Sequence, residues 1–281
     1  MLSTLSIEST GTDGACARSD PQLSPSRLPF VAAARGSGRI GFAWLTRLSF
    51  RLMDNSGLRA DFDCLHCFVP AREGKPGLEP ALVLLHDSGS DETQLLSIGE
   101  SIALDRGVNV LALRGWCKSE TGYSFLECLP EAERRAEFYI EQADRLSAFL
   151  REAAREYQID PGRTVLMGCG DGATMAAALM FVHAESLGGA ILYRPQAPFR
   201  PRPLPALPGY PVLLLLGRND LITFEEPAIE LAETLFDCGC DVRKIQVPLN
   251  HRLTEKVIRA ARVWHRKILA MPSEAESLAS S

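Results

Sequence analysis

From about residue 60 onward the apolar positions follow two rhythms that take turns. Short β-rich runs, Asp61–Val69, Ala81–His86, Val108–Leu113, Thr164–Gly168, Gly189–Tyr193, Val212–Gly217 and Asp241–Val247, read as strands. Between them lie stretches with helical spacing at Glu92–Leu104, Glu131–Tyr157, Gly172–Ala184, Glu225–Phe236 and Thr254–Leu269. Runs such as VLLLLG are apolar without alternation, as in strands buried on both faces. Strand alternating with helix means crossover units and a mostly parallel sheet, so the fold class is α/β. In the longest helix, Phe138, Ile140, Ala143 and Leu146 are expected to form the buried stripe beneath a charged, solvated face.

Two connections exceed ordinary linkers, Arg114–Pro130 and Arg194–Pro211. The second holds seven of the 18 prolines, which makes it stiff and keeps it out of the sheet. Long loops beside strand ends are where an open α/β sheet builds its ligand site. Residues 1–52 differ in character, with six Arg, no Lys and three acids. The domain reading is an extension over 1–57, largely disordered or adding a strand, a main domain over 58–270 and a frayed tail over 271–281. For the extension, a disordered arm, an organellar leader and a start at Met53 all stand open.

The chain of 281 residues carries 30 Lys plus Arg against 35 Asp plus Glu, a net charge of −5. That balance argues against an electrostatic grip on nucleic acid. No apolar run approaches the roughly 20 residues of a membrane span. Eight cysteines are too few for a disulfide scaffold at this length, and no basic-then-apolar signal opens the chain. Free thiols in a cytoplasmic setting are expected, with an organelle as the alternative. Cys64 and Cys67 form a C-x-x-C, but three residues apart on a strand they face opposite ways. Buried thiols are therefore expected there, with no metal and no cofactor.

The segment that carries chemistry is TVLMG-CGDGA-TMAAALMF. Small residues at 168, 170 and 172 permit a sharp strand–turn–helix that presents its central residue at the top edge of the sheet. In G-x-S-x-G hydrolases that centre is a nucleophilic serine; here the frame is Gly168-Cys169-Gly170-Asp171-Gly172.

From about Phe62 to Leu269 the chain resembles the carboxylesterase/phospholipase branch of the α/β-hydrolases, which includes acyl-protein thioesterases and small bacterial esterases. LVLLHDSGSDETQL is similar to the family's first strand and turn, and LALRG…TGYSF to its next strand and loop. REYQIDPGRTVLMG resembles the approach to the nucleophile, and LYRPQAPFRPRPLP the loop after the sixth strand. LLLLGRNDLI and NHRLT resemble the segments bearing the triad acid and histidine. The resemblance implies an α/β-hydrolase fold that hydrolyses esters or thioesters, with Asp220 as triad acid and His251 as triad histidine. It also implies an oxyanion hole from the backbone N–H groups of Ser88 and Asp171.

The sequence departs from that pattern at two places. Gly170 stands where the serine belongs, so His251 has no hydroxyl to activate. Asp87 stands where the family has the glycine of its HG pair, and with Asp171 it brings negative charge to the place where an oxyanion would form. The expectation is a degenerate hydrolase that keeps a pocket for a small ester or acyl ligand. Two alternatives are catalysis by His251 and Asp220 through water or through Cys169 as replacement nucleophile, and a non-catalytic interaction scaffold. Oligomeric state is not legible.

Overall fold

The computed structural model describes residues 64–71, 77–103, 107–126, 132–218, 225–248 and 254–270. The extension over 1–57 and the tail over 271–281 lie outside the described residues.

Seven strands form one sheet: β1 (His66–Val69), β2 (Glu79–Leu85), β3 (Asn109–Leu113), β6 (Ile159–Cys169), β7 (Gly189–Tyr193), β8 (Pro211–Arg218) and β9 (Asp241–Pro248). Their spatial order is β1-β3-β2-β6-β7-β8-β9. Every neighbouring pair is parallel except β1 with β3. The parallel crossovers require helices on both faces, and the side chains of each strand divide accordingly. Leu82, Leu84, Val110, Ala112, Val165 and Met167 share one core with Val257, Ala261 and Trp264 of α5 (Glu255–Leu269) and Ile102 of α1 (Leu96–Ala103). Val83, Leu85, Leu111, Leu113 and Leu166 share the other with α2 (Arg135–Glu156), α3 (Asp171–His183) and α4 (Glu225–Asp237). Cys64 packs against the second core and Cys67 against the first, so the C-x-x-C pair does straddle the sheet.

The structure departs from the sequence reading in several places: β6 begins at Ile159 where Thr164 was expected, and α1 at Leu96 where Glu92 was expected. Ile140 is 38% exposed, because the buried stripe of α2 runs through Tyr139, Ala143, Leu146 and Leu150 at three- and four-residue steps that 140 misses. The long loop after β3 contains a small hairpin, β4 (Cys117–Lys118) and β5 (Tyr123–Ser124), too short for any periodicity to announce.

The order of strands places the site. The chain leaves β2 for β3 on one side, then crosses back to β6 on the other. The strand order therefore reverses between β2 and β6, and the crevice outside their carboxyl ends is where an open α/β sheet takes its ligand. Register pairs Leu85 with Gly168, which brings Asp87 at the end of β2 beside Gly170 at the end of β6.

Candidate active site at the carboxyl ends of the strands

Gly170 forms the turn between β6 and α3, with φ +51° and ψ −113°. This is a region that L side chains enter only under strain. Its N–H donates to the Tyr193 carbonyl at 2.9 Å, and its carbonyl accepts from Thr174 N at 3.0 Å. The turn is tight because the strand and helix backbones approach closely. A Cβ at Gly172 would overlap the Leu85 carbonyl oxygen, and one at Gly168 would lie 2.5 Å from Ala173 Cα.

At Gly170 the obstruction is different in kind. A Cβ there would overlap Oδ1 of Asp87 and lie 2.7 Å from Oδ2. The same Oδ1 accepts hydrogen bonds from Ser88 N at 2.9 Å and Asp171 N at 3.2 Å. The two backbone donors singled out in the sequence thus converge on one oxygen, and that oxygen belongs to the chain itself. The other carboxylate oxygen, Oδ2, has Arg194 Nη1 at 3.9 Å and receives a long contact from the Cys169 thiol at 4.0 Å. Arg194 follows β7, with an 11% exposed side chain and φ +55°. The sequence assigned it no role; its signals are its place at the head of the long Arg194–Pro211 connection and directly after a fully buried strand.

Asp171 opens α3 and turns its carboxylate to the hydroxyls of Ser124 (2.8 Å) and Ser88. Burial pushes this carboxyl above its ordinary value, the neighbouring Asp87 adds to the rise, and the serine hydroxyls oppose it. Cys169 is 6% exposed, and burial followed by the charge of Asp87 pushes its thiol up to about 12. A protonated, packed thiol of this kind is a poor nucleophile at neutral pH.

The segment after β2 is held by a network that the sequence did not disclose. Glu92, 6% exposed, accepts from Arg114 Nε at 2.5 Å and Nη2 at 2.6 Å. Gln94 Oε1 accepts from Asp87 N at 2.8 Å. Gly89 N donates to Tyr123 O at 2.9 Å, and Tyr123 N to Ser90 O at 2.7 Å, which ties this turn to the β4–β5 hairpin. His86 is buried and structural: Gly115 N donates to its Nε2 at 2.8 Å, and its Nδ1 lies 2.7 Å from the Asp87 carbonyl. Desolvation holds its ring below the usual histidine range. Asp220 and His251 lie outside the described residues.

Among the described residues, no three His, Cys, Asp or Glu side chains cluster as metal ligands would, and no helix is long and apolar enough to cross a membrane. A cavity of about 200 Å³ lies toward the other end of the sheet, between α2 and the start of β6, lined by Val83, Leu150, Ile159 and Thr164 among others.

No protein-family model matches the chain. It is 32% identical over 188 residues to a Bacillus subtilis (strain 168) protein named "Putative hydrolase MhqD", covering 67% of this chain and 93% of that one. Among solved structures, a carboxylesterase of Bacillus cereus is 31% identical with a TM-score of 0.65, over 73% of this chain and 95% of its own. A carboxylesterase from Mesorhizobium loti is 25% identical with a TM-score of 0.63, over 78% and 100%. A parallel sheet with its switch point at β2 and β6, a tight glycine turn leading into α3, and relatives covered nearly end to end agree: this chain belongs to the carboxylesterase-like α/β-hydrolases.

Proposed function

We propose that this protein is a hydrolase-family member that has given up seryl ester hydrolysis and uses its strand-end site to hold a small ligand. Gly170 takes the position of the nucleophilic serine. The observation that carries this reading is the Asp87 carboxylate, which fills the space a side chain at 170 would need and accepts from the N–H groups of both Ser88 and Asp171. A seryl enzyme needs that space for Cβ and Oγ, and it needs those donors for the oxyanion of its tetrahedral intermediate. With a carboxylate already there, an acyl carbonyl has nowhere to develop its charge. The buried, protonated state of Cys169 speaks against a thiol in the serine's stead.

The test is direct. The purified chain is exposed to a fluorophosphonate probe and to p-nitrophenyl acetate beside an active family esterase. The expected result is no labelling and no turnover above the solution rate. Stoichiometric labelling of any serine overturns the reading. For the ligand, a panel of small esters and other apolar molecules is screened for a rise in Tm, which binding to the folded state produces by mass action; the rise is expected to disappear in Arg194→Ala. A hit whose shift survives in that variant is not a ligand of this site.

A further inference from the structure

The cavity under α2 joins a hydrocarbon interior to opposite charges at its edge. It encloses about 200 Å³. Val83 of β2, Leu111 of β3, Leu150, Ala153 and Ala154 of α2 and Ile159 of β6 supply aliphatic walls, and among the described residues no aromatic ring lines it. Native interiors hold few voids larger than a water molecule, so a space of this size beside a buried sheet has room for a ligand. An apolar cavity of roughly 150 Å³ takes up benzene, so this one suits a branched chain of a few carbons with a small head group.

Three polar side chains share the lining. Arg151 and Glu185 are both exposed and stand where the cavity meets solvent. Among the described residues they do not pair with each other: Arg151 Nη1 donates to the neutral Ser147 hydroxyl at 2.7 Å, and Glu185 Oε1 lies 3.3 Å from His183 Nδ1. A guanidinium has several N–H donors and a carboxylate several acceptor positions, so each keeps most of its capacity in reserve. Thr164 is buried and donates its O–H to the Asp160 carbonyl at 2.7 Å, which leaves its oxygen able only to accept. The polar edge thus offers a cation to an anion, and a carboxylate with a hydroxyl oxygen to a group that donates several protons.

We propose that this cavity is a second ligand site, for an α-amino acid with a branched aliphatic side chain, of which L-leucine is the type. Arg151 holds the ligand carboxylate in a charge-assisted pair, the ammonium donates to Glu185 and Thr164 Oγ1, and the side chain lies against Val83, Leu150 and Ile159. A neutral apolar molecule would leave both charges unanswered, and a fatty acid would bring its carboxylate up to Glu185. The cavity lies at the start of β6 and the strand-end site at its end, so the inference does not depend on how Gly170 and Asp87 are read.

The experiment titrates the full chain with L-leucine by calorimetry and by Tm, up to about 10 mM, where a Kd on the order of 1 mM is already close to saturation. Isopentylamine lacks the carboxylate, isocaproate lacks the ammonium, and glycine lacks the side chain. The expected result is saturable heat and a rise in Tm with L-leucine, and binding at least about tenfold weaker for each of the others. Arg151→Gln and Glu185→Gln change exposed side chains outside both cores, and each should weaken L-leucine at least about tenfold with native circular dichroism. Arg194→Ala, at the strand-end site, should leave L-leucine binding unchanged. No heat and no rise in Tm from the unaltered chain overturns the proposal. So does isopentylamine or isocaproate binding as tightly as L-leucine, or L-leucine binding that survives both charge variants. A response that disappears in Arg194→Ala would place the amino acid at the strand ends and overturns it as well.

Discussion

Three glycines shape the turn between β6 and α3, and the two at its flanks are glycine for a different reason from the one at its centre. At Gly168 and Gly172 an added Cβ runs into backbone, of Ala173 in one case and of Leu85 and His86 in the other. Backbone in a packed sheet and helix cannot step aside, so these positions belong to the architecture. At Gly170 the obstacle is the end of one side chain, Asp87, borne by the neighbouring strand. The flanks are what brings helix and strand together in this chain. The centre is tied to a single partner, and the two positions form a unit: a carboxylate at 87 excludes a side chain at 170, and a side chain at 170 would displace the carboxylate. Scaffold and chemistry are thus separable within five residues.

The largest effect should come from changing that unit as a unit. Gly170→Ser alone pushes the Asp87 carboxylate aside but leaves its charge beside the two backbone donors and the new hydroxyl, so it is expected to give little ester hydrolysis. Asp87→Gly combined with Gly170→Ser clears the space and frees the donors, with Asp220 and His251 completing the triad that the family resemblance implies. Removing a single oxyanion donor costs an esterase-type site about 10²–10³ in turnover, so the double variant should exceed the single one by about a thousandfold on p-nitrophenyl acetate. Equal activities would dissolve the coupling of 87 and 170. At a flank the same kind of change should cost stability instead of altering chemistry. Gly172→Ala forces a Cβ against the Leu85 and His86 carbonyls and is expected to lose about 3 kcal/mol in urea unfolding. A neutral outcome would mean that the flank, too, is held only by something that can move.

Much of this fold was legible because buried parallel strands write themselves as unbroken apolar runs. β7 lies where its sequence puts it, β8 extends the expected run by one residue at each end, and β9 by one at its C-terminal end. The start of α1 was misplaced for a local reason. Residues 92–95 read as helical, yet Asp91 accepts from Thr93 N, Glu92 is drawn to Arg114 and Gln94 turns back to Asp87 N, so the helix begins at Leu96. At the site, Gly170 and Asp87 were each legible as residues that stand out against the pattern the family resemblance implies. Their meeting was not, because it depends on the β2–β6 register that brings residues more than eighty apart to one oxygen. Arg194 was invisible because nothing beside it in sequence predicts a carboxylate opposite.

The Glu92–Arg114 pair offers a sharper view of how the turn bearing Ser88 is held. Removing Glu92 leaves a partly buried guanidinium without its bidentate partner and loosens the segment that positions Asp87. Glu92→Ala should cost about 2 kcal/mol, less than a fully buried pair because Arg114 keeps 21% of its surface. If only a surface pair's worth of stability is lost, about 0–1 kcal/mol, the network does not hold the turn.

The smallest expected effect concerns Asp171, and its sign follows from burial. An acid whose carboxyl is raised in the folded state binds its proton more tightly there than in the unfolded chain. The contribution of Asp171 to stability is therefore fully present below the ordinary carboxylate value, about 4, and is lost as pH rises from there through the raised value. Asp171→Asn removes the ionisation while its amide oxygen can still accept from Ser124 Oγ. The variant should match the unaltered protein in Tm near pH 4 and exceed it by a growing margin toward pH 7. A margin that stays constant across this range would mean that Asp171 ionises in the fold as freely as outside it. A margin that opens with pH would instead locate a tightly proton-binding carboxyl beside the one oxygen on which the N–H groups of Ser88 and Asp171 converge.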